Sequence, residues 1–535
     1  MSTESGRPAS TSSVTSCVSE ATVDLRLVPA AVTAWAVTAV GIVWELGAIV
    51  VALAVLTAIS AALVRATVSA EHANARAVST GLIAAAVVGA GFGFAVALRS
   101  NGVRDHPVVA LFGTATSVTV TPTESPRSVG AGRMLFKADL NLIADHETGG
   151  RVVVFAPARD FATVAAGQPV RFTARISRPT RHDLSVALLT ATGEPTTGQA
   201  SAVQRFAASV RSRFAVAARD VLPARQAAML PALVLGDTSA MTNTTVAEFR
   251  AAGLTHLTAV SGANVTIVCG AVLLIAYLSG PRIAVGVAAV ALIAFVIVVQ
   301  PTASVLRAAV MGAVTLLAIL TSRRRQAIPA LSGTVLVLLI VAPQLAVDIG
   351  FALSVSATAA LVVIAPVWSA KLVARGWPKP LADAVCIAAA AQLVTAPLVA
   401  GISGTFSIVS VAANLAVAAL IAPITVLGTA AAALALVWPG AAYLLIRFTG
   451  PELWWLDTVA HRAAGIPNAT VAVPEGAAGV LMVALAGLGV VVLWRRRWFR
   501  CTLAAAAVCL LAWSVSSLFA GHGAIVSADR GTIVA

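Results

Sequence analysis

The chain has 535 residues, of which 59% are hydrophobic and only 11% charged, and its mean hydropathy is +0.92. Soluble domains run near a quarter charged, so a chain that mostly faces water is excluded. The net charge of +14 is carried almost entirely by Arg, whose planar fork suits phosphate, and the five Cys show no CxxC or metal-type spacing.

Residues 1–26 are polar and Ser/Thr-rich and read as a cytoplasmic tail leading into an uncleaved anchor. Crossing a bilayer takes about 17–25 apolar residues. Runs at 27–43, 46–64 and 79–98 meet that length, so 27–98 reads as three N-terminal spans. From 99 to 200 the character changes to short alternating stretches without Cys. Strands are expected at 108–120, 133–144, 151–155, 169–177 and 184–190, with a turn at Thr148-Gly149-Gly150. Such a series fits a small all-β, OB-like barrel, with a β-sandwich as the alternative.

Residues 201–260 hold an amphipathic stretch and a motif region. Over 201–228, Val203, Phe206, Val210, Phe214 and Ala217 share one helical face while Arg205, Arg211, Arg213 and Arg219 crowd others, the pattern of an interfacial helix. Within 261–520, spans are expected at 262–278, 283–299, 304–320, 328–342, 345–365, 381–400, 477–494 and 501–519. A longer apolar region, 406–437, has Pro423 at its middle, and 441–466 reads as an aromatic interfacial helix before a short tail at 521–535.

Basic residues in short loops stay in the cytoplasm. Placing Arg65 with Arg76, Arg323-Arg324-Arg325, Lys371 with Arg375 and Lys379, and Arg495-Arg496-Arg497 with Arg500 inside puts the N-terminus inside and the β domain outside. The same parity requires 406–437 to cross an even number of times, as two short spans or a re-entrant hairpin. The expected fold is a polytopic α-helical membrane protein of about 11–13 spans, with the β domain inserted after the third.

Polar groups inside spans are costly and default to functional candidates. Arg307, Asp348, Gln392 and Asn414 are such groups; the alternative is a helix-to-helix hydrogen bond or a snorkelling side chain. The densest stretch runs through Leu235-Gly236-Asp237 to Phe249-Arg250-Ala-Ala-Gly253-Leu-Thr-His256-Leu-Thr-Ala-Val-Ser261-Gly262-Ala-Asn264. It resembles the ComEC family of competence proteins, which has Phe-Arg-x-x-Gly-Leu-x-His-Leu-x-Ala-Val-Ser-Gly just before a span. Three further segments resemble the same family. They are Ser304-Val-Leu-Arg307-Ala-Ala-Val-Met311, Asp348-Ile-Gly350-Phe351-Ala-Leu353-Ser354, and Gln392-Leu-Val-Thr-Ala-Pro397 followed by Ala413-Asn414-Leu.

The resemblance implies a channel passing single-stranded DNA across the cytoplasmic membrane, received by an exported OB-like domain. Its path residues would be Asp237, Arg250, His256, Ser261, Asn264, Arg307, Asp348, Gln392 and Asn414. Where many members carry His near the end of the Ser-Gly motif this chain has Asn264, so a role for that imidazole is not expected. Many members also end in a metallo-β-lactamase-like domain with an HxHxDH cluster, which is not seen here. A nuclease or DNA receptor, and a cytoplasmic motor or single-strand-binding protein, are expected as separate partners, since no Walker A motif is present either. No cofactor, metal or catalytic residue is expected.

DNA reception would fall to the 99–199 stretch, with eleven Arg/Lys against eight Asp/Glu, a net of +3. Candidates are Arg151, Arg171, Arg175, Arg178 and Arg181; phosphate contacts of this kind make binding salt-dependent. Stacking aromatics are few: Phe112, Phe136, Phe155, Phe161 and Phe172. Two other readings stay open: a transporter of another anion, such as a nucleotide or envelope polymer, and an intramembrane serine hydrolase using Asp237, His256 and Ser261. The hydrolase lacks a G-x-S-x-G elbow at Ser261.

Overall fold

A computed structural model describes residues 24–44, 46–67, 73–300, 302–321, 326–493, 496 and 502. Outside them fall Arg323-Arg324-Arg325, Arg495, Arg497 and Arg500, most of the expected 501–519 span, and nearly all of both tails; the Arg76 side chain is likewise not described.

Helices α1 (Val28–Val43), α2 (Gly47–Thr67) and α3 (Ala73–Arg104) form the N-terminal group. Helix α3 runs past the expected end at 98 because nothing stops it until Pro107, which opens a 3-10 turn over Pro107–Leu111. That turn also delays the first strand, expected from 108, to Ala115.

The β domain comprises β1 (Ala115–Pro122), β2 (Arg127–Ser128), β3 (Arg133–Ile143), β4 (His146–Pro157), the single turn α4 (Ala158–Phe161), β5 (Val170–Ser177) and β6 (Ala187–Thr197). Strand β1 pairs with both β3 and β5, β3 with β4, β5 with β6, and β4 runs parallel to β6, so five strands close on themselves. Inward residues alternate with outward ones: Val170, Phe172, Ala174 and Ile176 are buried while Arg171, Thr173 and Arg175 are exposed, the period-two pattern of a half-buried strand. The expected turn at Thr148-Gly149-Gly150 is instead inside β4. The hairpin turns four residues earlier, at Ala144-Asp145, where φ values of 47° and 65° supply the twist a two-residue loop needs.

The remaining helices are α5 (Ala202–Val221), α6 (Ala224–Leu235), α7 (Asn243–Ala251), α8 (Gly262–Ile275), α9 (Pro281–Val299), α10 (Ala303–Leu320), α11 (Ala327–Val341), α12 (Ile349–Val373) and α13 (Lys379–Ser403). Strand β7 (Thr405–Ser407), helices α14 (Ser410–Leu434), α15 (Pro439–Phe448) and α16 (Gly450–Ala464), strand β8 (Thr470–Ala472) and α17 (Ala477–Leu493) complete the order. Among the described residues 7 helices are long and apolar enough to cross a membrane, and five more apolar helices are shorter. Large apolar side chains such as Leu278, Ile275, Val290, Leu317 and Ile340 are exposed along them, a surface that suits lipid rather than water.

Three expectations change. The 406–437 region is neither two spans nor a re-entrant hairpin: it forms β7 and one continuous helix, α14, with Pro423 inside it. Proline is tolerated there because neighbouring helices shield the freed carbonyl. Helices α15 and α16 run back along α14, Trp455 Nε1 donates to Ala416 O at 3.0 Å, and β8 pairs with β7, returning the chain to the end it left. The expected interfacial helix at 441–466 is therefore two packed helices with Ala442, Ile446, Leu453, Leu456 and Ala460 fully buried. Helix α5 is likewise not simply interfacial: Pro223 turns the chain, and Val210, Phe214 and Ala217 pack under α6, α9 and α15, leaving Val203 and Phe206 exposed.

Candidate functional site

The motif region folds as a broken helix. Helix α6 is buried from Met229 to Leu235 and stops at Gly236, a left-handed cap that lets the chain reverse. After α7 and a 3-10 turn over Thr255–Leu257, α8 starts at Gly262 against the end of α6. Asn264 Nδ2 donates to Leu233 O at 2.9 Å, and the Ser261 hydroxyl donates to Asn264 Oδ1 at 3.1 Å. Leu233, Leu257, Ser261, Asn264, Ile424 and Thr425 line a small crevice between α6, α8 and α14.

Arg307, one turn into α10, is 6% exposed. Its Nε donates to Ser354 Oγ of α12 at 2.7 Å, its Nη1 lies 3.2 Å from Met311 Sδ, and its Nη2 rests against Gly262. A Cβ on Gly262 would overlap that nitrogen, so glycine is what lets the guanidinium reach the start of α8.

On the other side of the same loop, Gly253 packs on Ser410 at the start of α14. Ser410 Oγ donates to Gln392 Oε1 of α13 at 2.9 Å, Asn414 Nδ2 donates to Ser410 O at 2.9 Å, and Ser407 Oγ donates to Ala251 O at 2.7 Å. Four motifs separated in the chain thus meet along one segment, 251–264.

Residues 233–498 match the family model described as Competence protein. The chain belongs to the competence-protein family. Among curated proteins and solved structures, no match is found. In this competence protein the matched region is the helical part from α6 onward, with every converging motif but the start of α6 inside it.

Not every candidate joins that convergence. Asp237 accepts from Ser239 N at 3.1 Å and its charge acts on Arg211 of α5, while Arg250 is exposed on α7. His256 is exposed in the 3-10 turn, and the Ser261 hydroxyl is engaged with Asn264 rather than with His256. Asp348 caps α12 by accepting from Phe351 N at 2.9 Å, and Lys137 of the β domain stands 3.6 Å from it. Ser125 N and Oγ bond Gln300, so the β domain rests on the α9–α10 and α11–α12 connections, the end where Arg307 and Ser354 lie.

Within the β domain, Arg171 and Arg175 do share the exposed face of β5, but Arg171 is paired with Asp145 at 2.8 Å. Arg178 stacks over Phe112 at 5.9 Å; Arg151 and Arg181 are exposed elsewhere on the barrel. Phe136, Phe161 and Phe172 are core, and Phe155 is covered by Arg133 at 5.4 Å. Among the described residues no three His, Cys, Asp or Glu side chains gather as a metal site.

Sequence reasoning named Ser354 only as the end of a motif, without a role, and passed over Ser410; small hydroxyls look unremarkable in apolar helices. It also missed a polar knot joining α6, α7 and α16. Arg225 Nε reaches Asp457 Oδ1 at 2.7 Å, Arg225 Nη2 pairs with Glu248, and His461 Nδ1 lies 2.9 Å from Glu248 Oε1. Burial alone would raise the Glu248 carboxyl, but its bonds to His461 and Arg225 outweigh that and hold it below the usual carboxylate range. A lowered folded pKa stabilises above the unfolded value and is lost as pH falls through the folded one. Thermal unfolding of the purified protein is therefore expected to lose stability on acidification below about pH 4.5, and Glu248→Gln to lose less. Equal acid losses in both proteins would contradict the assignment.

Proposed function

We propose that this competence protein conducts single-stranded DNA across the cytoplasmic membrane during DNA uptake. The family gives the role in competence. The observation that carries the finer reading is the convergence of four polar motifs at the β-domain end of a helical bundle whose outer surface is apolar. A strand with a charge on every nucleotide cannot enter hydrocarbon, so its path must be lined by such groups. In this reading the β domain is extracytoplasmic and OB-like; the closed order of β1, β3, β4, β6 and β5 with one parallel pair supports it. OB barrels bind through the loops joining strands one to two and four to five. Here those loops are 123–132 and 178–186, and both face the bundle: Ser125 meets Gln300, and Leu184 packs with the core of α1, α11 and α12. The barrel would thus hand the strand downward. A separate motor, receptor or nuclease would complete the process, and the protein itself would act as a conduit, not an enzyme.

Cells lacking the protein are expected to bind labelled external DNA but keep it sensitive to added nuclease. Equal protected label with and without the protein would overturn the reading.

A further inference from the structure

Helix α8 begins without a cap. Ser261 occupies the N-cap position, but its hydroxyl turns to Asn264 Oδ1 and accepts no amide of the first turn. The first N–H groups of a helix have no partner within it, and together they carry a partial positive charge. Ala263 is exposed and Gly262 half-buried, so this end is open on one side.

Arg307 is the second, independent feature. It is 6% exposed, and no carboxylate among the described residues pairs with it. Its Nε and Nη1 are held by Ser354 and Met311, which fixes the guanidinium plane and sets Nη2, which bonds none of the described residues, against Gly262. A buried cation without a carboxylate is costly unless an anion visits it. Placing that cation at the positive end of a helix adds to the cost. Both features are satisfied together by one group: a tetrahedral oxyanion accepting from the α8 amides and from Arg307.

We infer that Gly262, Ala263 and Arg307 form a phosphate station, occupied in turn by the phosphodiesters of the passing strand, with Ser354 as the positioning residue for Arg307. This rests on the conduit reading and gives it one defined contact. The station lies at the β-domain end of the bundle, since Ser354 is six residues beyond Asp348, which meets Lys137.

The test uses the full chain in lipid nanodiscs and a thymidine oligonucleotide as probe, with affinity measured across salt concentrations. Each phosphate contact on a single strand contributes about −0.7 to the slope of log K against log salt. Arg307→Gln is expected to flatten the slope by about 0.7, and Arg307→Lys to keep it, because charge rather than shape sets counterion release. Ser354→Ala, which keeps the charge but frees the side chain, is expected to weaken binding about three- to tenfold at constant slope. A purely structural Arg307 would leave the slope unchanged in every folded variant, and that result overturns the station while the conduit reading stands. Salt-independent binding by the unaltered protein would instead overturn the conduit reading and the station with it. Should Arg307→Gln not fold, Gly262→Ala, which pushes the guanidinium off α8, must weaken binding; unaltered affinity there also overturns the station.

Discussion

Gly253→Ala is expected to destabilise the protein by about 2–5 kcal/mol and to abolish most DNA uptake. Two costs combine. Gly253 has φ of +71°, a left-handed conformation that costs an L-residue about 1–2 kcal/mol. Its missing Cβ would also overlap Ser410 Oγ and lie 3.2 Å from Ser410 Cα, so the loop and the start of α14 would have to part. Overpacking of that kind costs roughly 1–3 kcal/mol. The two costs separate by a second change: Ser410→Gly in the Gly253→Ala background should recover the steric share and leave the backbone share. Chemical unfolding of the solubilised proteins reads both, and a Gly253→Ala midpoint equal to that of the unaltered protein would refute the account. The effect on uptake follows because Gly253 fixes where the 254–264 stretch begins, and with it the approach of Gly262 to Arg307.

Arg225→Ala is the second large expected loss, about 2–4 kcal/mol. Arg225 is 38% exposed at its side chain, while its partners Glu248 and Asp457 are 19% and 22% exposed. Removing the cation leaves two carboxylates facing each other in a partly desolvated pocket, and the stranded charges carry most of the cost. Partial exposure keeps the figure below the roughly 3–5 kcal/mol of a fully buried pair. It follows that the triple variant Arg225→Ala, Glu248→Gln, Asp457→Asn should be more stable than Arg225→Ala alone. If the three losses simply add, the knot is not a coupled unit and the explanation fails. This knot holds α6, α7 and α16 together, and so sets the frame from which the 251–264 segment hangs.

The membrane class, the positions of most helices and the inserted β domain were decided by the linear chain. Apolar runs and period-two alternation are local properties, and the cost of exposing them acts on each segment alone. The four motifs were visible as polar residues in apolar surroundings, for the same local reason. Their assembly was not. Whether Arg307 meets a carboxylate, a hydroxyl or a helix end depends on which helices lie side by side, and no spacing within α10 encodes Ser354 of α12 or Gly262 of α8. The same holds for Arg225, whose partners stand on α7 and α16, and for the run 406–437. Its Pro423 reads as a break in isolation, yet it sits in one helix because α15 and α16 pack back along it. Segment character belongs to the chain; partnership across segments is set by packing, since a buried polar group is stabilised by whatever neighbour the fold delivers.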